Sequence, residues 1–538
     1  MGKKIELLDC TLRDGAYIVD AQFGTAALKG IIHKLEEANI KVIECGWLKN
    51  GEHRQGTSFY HVPDDLKQYL SDKKTDTTYT VMIDWDRYDL SYLPDCDGQS
   101  VDAVRIVFPY GKHHQAMEVG EKIKDKGYRI FFQAANTLAY SESDLIDLAE
   151  AVNEAQPAAL SVVDTFGAMY EEDLRRIVRV LDKYLDPAIQ LGFHSHNNQQ
   201  LSFALTMNFI EMLKESPRDV IVDASLCGMG RGAGNATTEL VTGYLNRKWG
   251  SHYNLDAVMD AIDTYMSYFQ EKYHWGYSTP YFIAGMYRCH VNNIAYLLDH
   301  HCTTAKDMRN IIESLTQEER QKYDYDILEQ KYLDNQNRYI DDTAAVRELK
   351  DRLSGRSILL VAPGKTALSD KDKVQKYIEN NRAIVIGINA FVPGYDYDYL
   401  FFVNPLRYDY AKNTVGGQFE STAKILLSNI KTAANDNEFI VGFNNVIKRG
   451  WRFFDNAAVC CLRLMDYLGI EQVAICGFDG FKDEYNESYA DPLLPSVNPG
   501  VNWTGLNEEI QEMFQDFLKS ASTCRQVEFI TESIFDRR

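Results

Sequence analysis

The chain has 538 residues, more than one hydrophobic core usually accommodates, so two domains are the starting expectation. Hydrophobic residues make up 45% of the chain and charged residues 25%, which is ordinary for a globular protein. The formal net charge of −21 and the pI of about 5.1 disfavour a protein that binds nucleic acid or an anionic membrane, although they allow a local basic pocket.

Cysteine usage and hydropathy indicate the compartment. The ten cysteines are spread along the chain without a Cys-x-x-Cys pair, which is typical of reduced thiols rather than of a disulfide framework. No apolar window approaches the length that spans a bilayer. We therefore expect a cytoplasmic homo-oligomer that acts on small molecules, without a nucleic-acid or membrane partner.

Short apolar runs recur at regular intervals through the first half of the chain. Helical patterns separate them, for example at residues 26–37, 142–155 and 171–184, so β and α units alternate. Eight such units in about 250 residues are typical of a (β/α)8 TIM barrel. We assign the barrel to residues 1–250, with strands at residues 5–8, 42–47, 79–84, 103–108, 130–134, 160–164, 190–194 and 220–226.

The segments after the barrel have three different compositions. Residues 251–316 are helical and rich in aromatic side chains, and we treat them as a helical extension. Residues 317–355 are strongly charged and helix-prone, and Gly355 suits a helix stop, so this segment is predicted to be a linker. An α/β pattern restarts in residues 356–538, which predicts a second, doubly wound Rossmann-like domain. Its predicted strands are residues 357–362, 383–388, 399–403 and 472–476, and its predicted helices are residues 370–380 and 457–468.

A Gly-Lys-Thr triplet follows the first predicted strand of this second domain. It is not a P-loop, because Leu359 stands where a Walker A sequence needs its first glycine. A glycine turn before a helix can still bind phosphate. The domain is weakly similar to Rossmann-like sugar- or nucleotide-transferring domains, including bacterial sialyltransferases, and the alternative is an interaction or oligomerisation domain. The candidate phosphate or nucleotide ligands are Gly364, Lys365, Thr366, Asn389 and Asp479.

Two histidines near the end of the seventh predicted strand suggest a metal site. His194 and His196 are two residues apart, so on a strand both imidazoles point the same way. The alternative to a metal site is that the two histidines are simply polar residues at a strand end. A hard divalent ion also needs oxygen ligands and usually a carboxylate. Asp14 supplies the best candidate, beside Arg13 where the first strand is expected to give way to a loop.

Three motifs in a fixed order make a family resemblance specific. They are Asp-x-Thr-Leu-Arg-Asp-Gly at residues 9–15, Phe-His-x-His-Asn at residues 193–197, and Gly-x-Gly-x-Gly-Ala-Gly-Asn at residues 228–235. Together they resemble the TIM-barrel superfamily of pyruvate aldolases and acyl-CoA lyases and synthases. The amino-acid sequences of residues 163–169 and 223–230 are most similar to those of 4-hydroxy-2-oxovalerate aldolases. The resemblance covers about residues 1–300.

The resemblance implies a divalent-metal-dependent carbon–carbon lyase. Its metal, with Mn²⁺ or Mg²⁺ favoured, would polarise a 2-oxo acid, and Arg13 would stabilise the developing enolate oxygen. In these relatives a helical extension covers the barrel mouth and contributes a tyrosine, for which Tyr277 and Tyr281 are candidates here. The implied metal ligands are Asp14, His194, His196 and Asn235, and the candidate substrate contacts are Glu44, Arg105, Asp164 and Tyr277.

One position departs from the aldolase pattern. Those relatives have a histidine where this chain has Tyr17, which is a weaker base at neutral pH unless its pKa is lowered. Either Tyr17 is tuned by Arg13 and the metal, or His113, His114 or a metal-bound water removes the proton. The departure leaves the substrate open.

The leading hypothesis is an aldolase that cleaves a 4-hydroxy-2-oxo acid, or builds it from pyruvate and an aldehyde, through a metal-stabilised pyruvate enolate. The second domain suggests a large aldehyde, such as a sugar or a nucleotide derivative of one. One alternative is an acyl-CoA condensing or cleaving enzyme, although the Gly-Gly-Cys loop of that branch is absent. The other is an inactive barrel that serves a transferase in the C-terminal domain.

Overall fold

The chain forms two compact units in a computed structural model that describes residues 4–70, 73–300, 304–336, 340–432, 437–451, 455–482, 488–495 and 503–536. The barrel unit comprises Met1–Val291 and Arg320–Lys322. The second unit comprises Asn292–Glu319 and Tyr323–Arg538. The change of unit at residue 291 therefore falls inside the segment assigned above to a helical extension.

The barrel unit contains a closed parallel barrel of eight strands, which confirms the predicted TIM barrel. Closure is direct, because the first strand pairs in parallel with both the second and the last. A two-residue strand outside the barrel, β3 (Phe59–Tyr60), pairs with β2. The barrel strands are β1 Ile5–Asp9, β2 Val42–Leu48, β4 Thr78–Asp84, β5 Ala103–Phe108, β6 Arg129–Ala134, β7 Ala159–Asp164, β8 Gln190–Ser195 and β9 Val220–Ala224.

Helices surround the barrel, but not after every strand. The connections after β2 and β4 carry 3-10 turns at Pro63–Tyr69 and Leu90–Tyr92. Further 3-10 turns are Thr137–Ala139 and Leu226–Gly228, and the latter ends the eighth strand two residues before its predicted limit. The helices are α1 Thr11–Asp14, α2 Ala16–Val19, α3 Thr25–Glu37, α4 His113–Asp125, α5 Glu142–Ala155, α6 Glu171–Tyr184, α7 Ser202–Met212 and α8 Thr238–Trp249.

The interior of the barrel changes from apolar to polar along the strands. Alternate residues of a strand share a face, so each apolar interior residue is followed two positions later by another interior residue. The apolar layer comprises Leu8, Cys10, Val42, Ala103, Phe131, Ala159 and Ile221. The corresponding polar layer toward the carboxyl ends comprises Glu44, Arg105, Gln133, Ser161 and Asp223, all buried. The charged members of this polar layer, Glu44, Arg105 and Asp223, therefore lie toward the end of the barrel where TIM-barrel sites form.

A run of helices follows the barrel. In α9 and α10 the helix is interrupted by a π-helical turn at Ile262–Met266, where the ring of Tyr265 packs against Gly30. Beyond them, six further helices of 5 to 12 residues follow. The bounds are α9 Leu255–Ala261, α10 Ser267–Lys272, α11 Thr279–Met286, α12 Val291–His300, α13 Ala305–Ser314, α14 Gln317–Gln321, α15 Tyr325–Gln336 and α16 Thr343–Leu353.

The second unit contains an open, fully parallel sheet of seven strands. The strand order is β14-β13-β12-β11-β10-β15-β16, so the chain builds outward from β10 in one direction and then returns to its other side. The strands are β10 Ile358–Val361, β11 Ile384–Ile388, β12 Tyr399–Phe402, β13 Ala423–Leu427, β14 Glu438–Val441, β15 Gln472–Cys476 and β16 Gln526–Phe529. The helices are α17 Thr366–Ser369, α18 Lys371–Asn381, α19 Pro405–Val415, α20 Gly417–Ser421, α21 Ala457–Tyr467 and α22 Trp503–Ser520, with a 3-10 turn at Phe443–Asn445.

Both faces of this sheet are covered, as a doubly wound fold requires. Ile358 and Leu360 pack into the core that contains α21 and α22. Leu359 and Val361, which alternate with them, pack into a separate core with α18. The doubly wound prediction is thus confirmed. In the described part of the chain, no helix combines the length and apolar character needed to cross a membrane.

Candidate metal centre

A one-turn helix, rather than the loop expected from the sequence, presents Arg13 and Asp14. The turn begins directly after β1, where the buried Asp9 carboxylate accepts hydrogen bonds from the Thr11 backbone N–H (2.9 Å) and the Thr238 hydroxyl (2.7 Å). The Asp14 N–H donates to the Cys10 carbonyl at 2.9 Å. Arg13 and Asp14 are 5% and 1% exposed, so the turn directs both charged side chains inward.

Hydrogen bonds fix the orientation of both histidines. His194 Nδ1 lies 3.0 Å from Asp223 Oδ2, and His196 Nδ1 lies 3.1 Å from the Asp164 carbonyl oxygen. A carbonyl oxygen only accepts, so the His196 proton is on Nδ1, and a carboxylate favours the same tautomer for His194. Each ring therefore keeps Nε2 as a lone-pair donor, which is the arrangement seen in many histidine metal ligands.

The two imidazoles and Asp14 converge on one point. Ligand atoms of Asp14, His194 and His196 all lie within 4.8 Å of one another, and all three residues are buried. His196 Nε2 and Asn235 Oδ1 are buried and make no hydrogen bond within the described residues. Such unpaired buried acceptors are costly unless a ligand satisfies them. Two nitrogens, a carboxylate and an amide oxygen fit a divalent cation.

The protonation states also suit a cation. Burial raises the pKa of Asp14, but Arg13 and the two histidines outweigh burial and hold this pKa well below its usual range. Burial lowers the pKa of His194 despite its hydrogen bond to Asp223. At neutral pH the site therefore offers an ionised carboxylate and a neutral imidazole, the forms that bind metals.

A chain of buried ion pairs connects two of these ligands through the barrel interior. Arg13 donates from Nη1 to Asp14 (2.6 Å) and from Nε to Glu44 (2.7 Å). Arg105 donates from Nη1 to the same Glu44 oxygen (2.8 Å) and from Nη2 to Asp223, which faces His194. Glu44 and Arg105 were expected to contact substrate, but their described contacts are with Arg13 and Asp223. Three carboxylates against two guanidinium groups leave one net negative charge for a cation to balance.

The glycine-rich loop after β9 brings Asn235 to the site. The loop is fastened to the end of β8, since the Asn197 N–H donates to the Gly234 carbonyl at 2.7 Å and His196 forms a bridge with Asn235. Asn235 Nδ2 donates to Asp14 Oδ2 at 2.6 Å. A Cβ on Gly230 would lie 2.4 Å from Asn235 Nδ2 and 2.5 Å from Asp14 Oδ2. Only glycine fits against the two proposed ligands.

Comparison with known proteins finds similarities to part of the chain. Residues 112–264 match the HMGL-like family. The matched residues lie within the barrel unit. An oxaloacetate decarboxylase of Mycobacterium tuberculosis is 26% identical over 260 residues, which are 47% of this chain and 74% of the relative. A 4-hydroxy-2-oxovalerate aldolase of Salinispora arenicola is 29% identical over 275 residues, covering 49% of this chain and 75% of the relative.

Solved structures are similar to about half of the chain. The N-terminal domain of a Bacteroides vulgatus protein is 25% identical, with a TM-score of 0.46, and covers 54% of this chain and 95% of that domain. The HMG-CoA lyase of Bacillus subtilis is 14% identical, with a TM-score of 0.39, and covers 50% of this chain and 94% of that chain.

Asp164, a candidate substrate contact, makes hydrogen bonds within the protein. Its carboxylate accepts the backbone N–H groups of Ala168 (2.9 Å) and Met169 (3.1 Å), and its carbonyl oxygen faces His196. Burial raises the pKa of Asp164 to about 6. The described contacts of Asp164 therefore fix a loop and a metal-ligand candidate.

Tyr17 lies at the edge of the centre, with 47% of its surface exposed. Its ring packs edge-on against Trp47, with centroids 6.1 Å apart, and lies 4.9 Å from the Arg231 guanidinium. Desolvation of the hydroxyl outweighs Arg231 and Arg13 and raises the pKa of Tyr17 to about 12. This shift is opposite to the lowering that a base role at neutral pH would need.

Residues after the barrel border a cavity of about 300 Å³ beside Asn235. Residues 273–276 line it, and the Trp275 indole N–H donates to the Cys227 carbonyl at 2.9 Å. Tyr277, a candidate substrate contact, is 63% exposed and does not line this cavity. Arg231 Nη2 lies 3.2 Å from His290 Nε2, and burial lowers the pKa of His290 to about 3.

In the second unit, the predicted phosphate donors are already engaged. The Gly364 N–H donates to the Gly477 carbonyl (2.9 Å), and both the N–H (2.9 Å) and the hydroxyl of Thr366 donate to Asp479. Lys365 is exposed, and the Asn389 amide oxygen accepts the Val403 N–H at 3.3 Å. The backbone N–H groups of Gly364 and Thr366 therefore bond within the protein in this structure, and the phosphate contact of the turn stays a prediction.

Proposed function

We propose that the HMGL-like domain is a divalent-metal-dependent lyase that breaks or forms a carbon–carbon bond of a 2-oxo acid. A 4-hydroxy-2-oxo acid is the first substrate class, with a 2-oxo acid and an aldehyde as the products of cleavage. The observation that carries this proposal is the convergence of Asp14, His194 and His196 beside Arg13, with His196 Nε2 3.5 Å from Asp14 Oδ2.

Asp14, His194, His196 and Asn235 would bind the cation. Mixed nitrogen and oxygen ligands suit Mn²⁺ or Mg²⁺, and affinity order alone does not choose between them. When bound, the cation supplies Lewis acidity that polarises the substrate carbonyl and makes the enolate accessible. The buried ion pairs keep the ligands in position before the substrate arrives.

Arg13 is the proposed electrophilic partner of the reacting oxygen. Its Nε and Nη1 are bound to Glu44 and Asp14, and Nη2 makes no hydrogen bond with any described residue. A fixed guanidinium with a spare donor stabilises negative charge that develops on a nearby oxygen, without reorganising during the reaction. Arg13 is therefore proposed as a catalytic residue, and Glu44 as the residue that positions it.

Decarboxylation of a 2-oxo diacid is a second reaction that breaks a carbon–carbon bond, and the test includes it. Cleaving a 4-hydroxy-2-oxo acid requires a base for the 4-hydroxyl proton, and a Tyr17 hydroxyl with a pKa of about 12 is poorly suited to that role. Decarboxylation of a 2-oxo diacid gives an enolate without removing a hydroxyl proton. The Mycobacterium tuberculosis relative named oxaloacetate decarboxylase makes this the second candidate.

The direct test is pyruvate release, coupled to lactate dehydrogenase, from a panel of 4-hydroxy-2-oxo acids and from oxaloacetate, with Mn²⁺ or with chelator. His194→Ala is expected to abolish release. His33→Ala is the matched control, because His33 lies on the outer helix α3 and pairs with Glu37 at the surface (3.1 Å). Protein-free Mn²⁺ corrects for spontaneous loss of carbon dioxide.

Release from a hydroxy acid that requires metal and His194 would support the aldolase. Release from oxaloacetate alone would favour the decarboxylase. Equal rates for wild type and His194→Ala on every substrate would contradict both. In that case acyl-CoA thioesters, or a transferase role for the second unit, would be the next reactions to examine.

A further inference from the structure

A cavity of about 90 Å³ lies in the second unit at the carboxyl ends of β10 and β15. These strands are neighbours, with Val361 opposite Cys476, yet β10 begins the sheet and β15 is added after four further strands. The chain therefore reverses its direction of winding between them. In open α/β sheets this reversal point is where ligands bind.

Arg407 is the feature of this cavity that the fold does not explain. The side chain lines the cavity and is 5% exposed, and its guanidinium lies 4.9 Å from the ring of Tyr489. Its Nε and Nη1 are buried without a hydrogen-bond partner, and no carboxylate within the described residues forms an ion pair with it. The Tyr489 side chain is a neutral hydrogen-bond partner of Arg407, so it does not balance the guanidinium charge. A buried guanidinium is rarely tolerated without an anionic partner.

A second positive element faces the same space. Residues 456–458 line the cavity, and α21 begins at Ala457. Asn456 caps this helix by accepting the N–H groups of Ala458 (2.9 Å) and Val459 (3.3 Å). The amino end of an eleven-residue helix carries partial positive charge, which favours an anion.

We propose that this cavity binds the phosphate group of a phosphorylated ligand, with Arg407 as its counter-ion. The space admits roughly six water-sized groups, so it encloses a phosphate while the remainder of the ligand extends through the opening. The site differs from the Gly-Lys-Thr turn, whose donors are taken by Gly477 and Asp479. Asp479 also lines the cavity, but both its carboxylate oxygens are bound by Thr366.

The proposal is independent of the lyase reaction and is tested by calorimetric titration of the full chain. The probes are inorganic pyrophosphate, uridine diphosphate and, as the carboxylate arm, acetate. Arg407→Gln is expected to weaken binding of either phosphate probe at least about tenfold, because a hydrogen-bonded charge pair is lost. Arg356→Gln is the matched control, since Arg356 is exposed and precedes the amino end of β10.

A second variant tests the cavity independently, so that the proposal can still be checked if Arg407→Gln does not fold. Ala457→Leu leaves every charge in place and fills the cavity, so it should also weaken phosphate binding, while far-ultraviolet circular dichroism stays unchanged. Tighter binding of uridine diphosphate than of pyrophosphate would identify a phosphate ester, and equal binding would identify free phosphate. No binding of either probe, preferential binding of acetate, or unchanged binding by Arg407→Gln would overturn the proposal.

Discussion

The Asp223 carboxylate fixes the tautomer of His194. Its carboxylate faces His194 Nδ1 and also accepts a hydrogen bond from the buried Arg105. Burial raises the pKa of Asp223, but Arg105 and His194 outweigh burial and lower it, so the carboxylate stays ionised. An ionised carboxylate at Nδ1 selects the tautomer in which Nε2 is free and increases its basicity.

We expect Asp223→Asn to weaken metal binding by roughly 10- to 100-fold, because the amide neither fixes the tautomer nor raises ligand basicity. Titration with Mn²⁺, followed by electron paramagnetic resonance, measures the change. Asp182→Asn is the matched control, because it also deprives a buried arginine, Arg218, of its carboxylate (2.9 Å), but on the outer helix α6. Equal loss of metal affinity in both variants would show that Asp223 acts only through stability.

The sequence placed the ligand candidates but not the residues that support them. Asp14, His194, His196 and Asn235 stand in separated motifs, and strand periodicity brings them to one end of the barrel. The role of Asp223 could have been predicted from the sequence, because its carboxylate interrupts an otherwise apolar strand. Arg407 carried no such local signal, because the cavity that it lines is formed by separate segments spread between residues 362 and 535.

The glycine-rich loop acts as one element, and its backbone sets the distance between two proposed ligands. Gly234 has φ of 85° and would place a Cβ 2.0 Å from the Gly228 carbonyl oxygen, so the loop can close only with glycine there. Gly230 has no such backbone strain, and its constraint is the contact with Asn235 and Asp14.

Gly230→Ala is therefore expected to leave the barrel folded but to displace Asn235 and Asp14 by several tenths of an ångström. Pyruvate release should fall by roughly a hundredfold, since small misplacements of reacting groups have effects of that size. The control is Gly243→Ala, where a Cβ in α8 meets nothing within 4 Å. That variant should gain up to about 1 kcal/mol of stability from helix propensity. Full activity in Gly230→Ala would contradict the proposed ligand arrangement.

Strand prediction failed at both edges of the second sheet and at its interior strand β13. Three strands of the second unit, β13, β14 and β16, escaped notice. The edge strand β14 has four residues of which two are buried, and β16 has only partly buried and exposed residues, so neither has the apolar run of a central strand. The barrel strands, by contrast, are buried on both faces and appear as continuous apolar segments.

In the whole molecule, each of the two units has its own hydrophobic core. The largest cluster of buried residues in the barrel unit runs from Leu7 to Phe269, and the largest in the second unit from Leu349 to Phe535. The two clusters share no residue among those described. This agrees with the expectation from length that one core would not serve 538 residues.

Scanning calorimetry should consequently show two unfolding transitions that respond to different ligands. Mn²⁺ at about 100 times its dissociation constant should stabilise the barrel transition by about 2.7 kcal/mol. Uridine diphosphate should raise only the other transition. His194→Ala should cancel the first response and Arg407→Gln the second. One transition that responds to both ligands would contradict the independence of the two cores.

The buried ion pairs also limit how this protein can change over evolutionary time. Asp14, Arg13, Glu44, Arg105, Asp223 and His194 form an unbroken sequence of contacts that begins and ends on a proposed metal ligand. A substitution at any interior member alters the electrostatic surroundings of both ends together. A single mutation can therefore destroy the centre, whereas a gradual change in metal preference requires compensating substitutions on strands that are far apart in the gene.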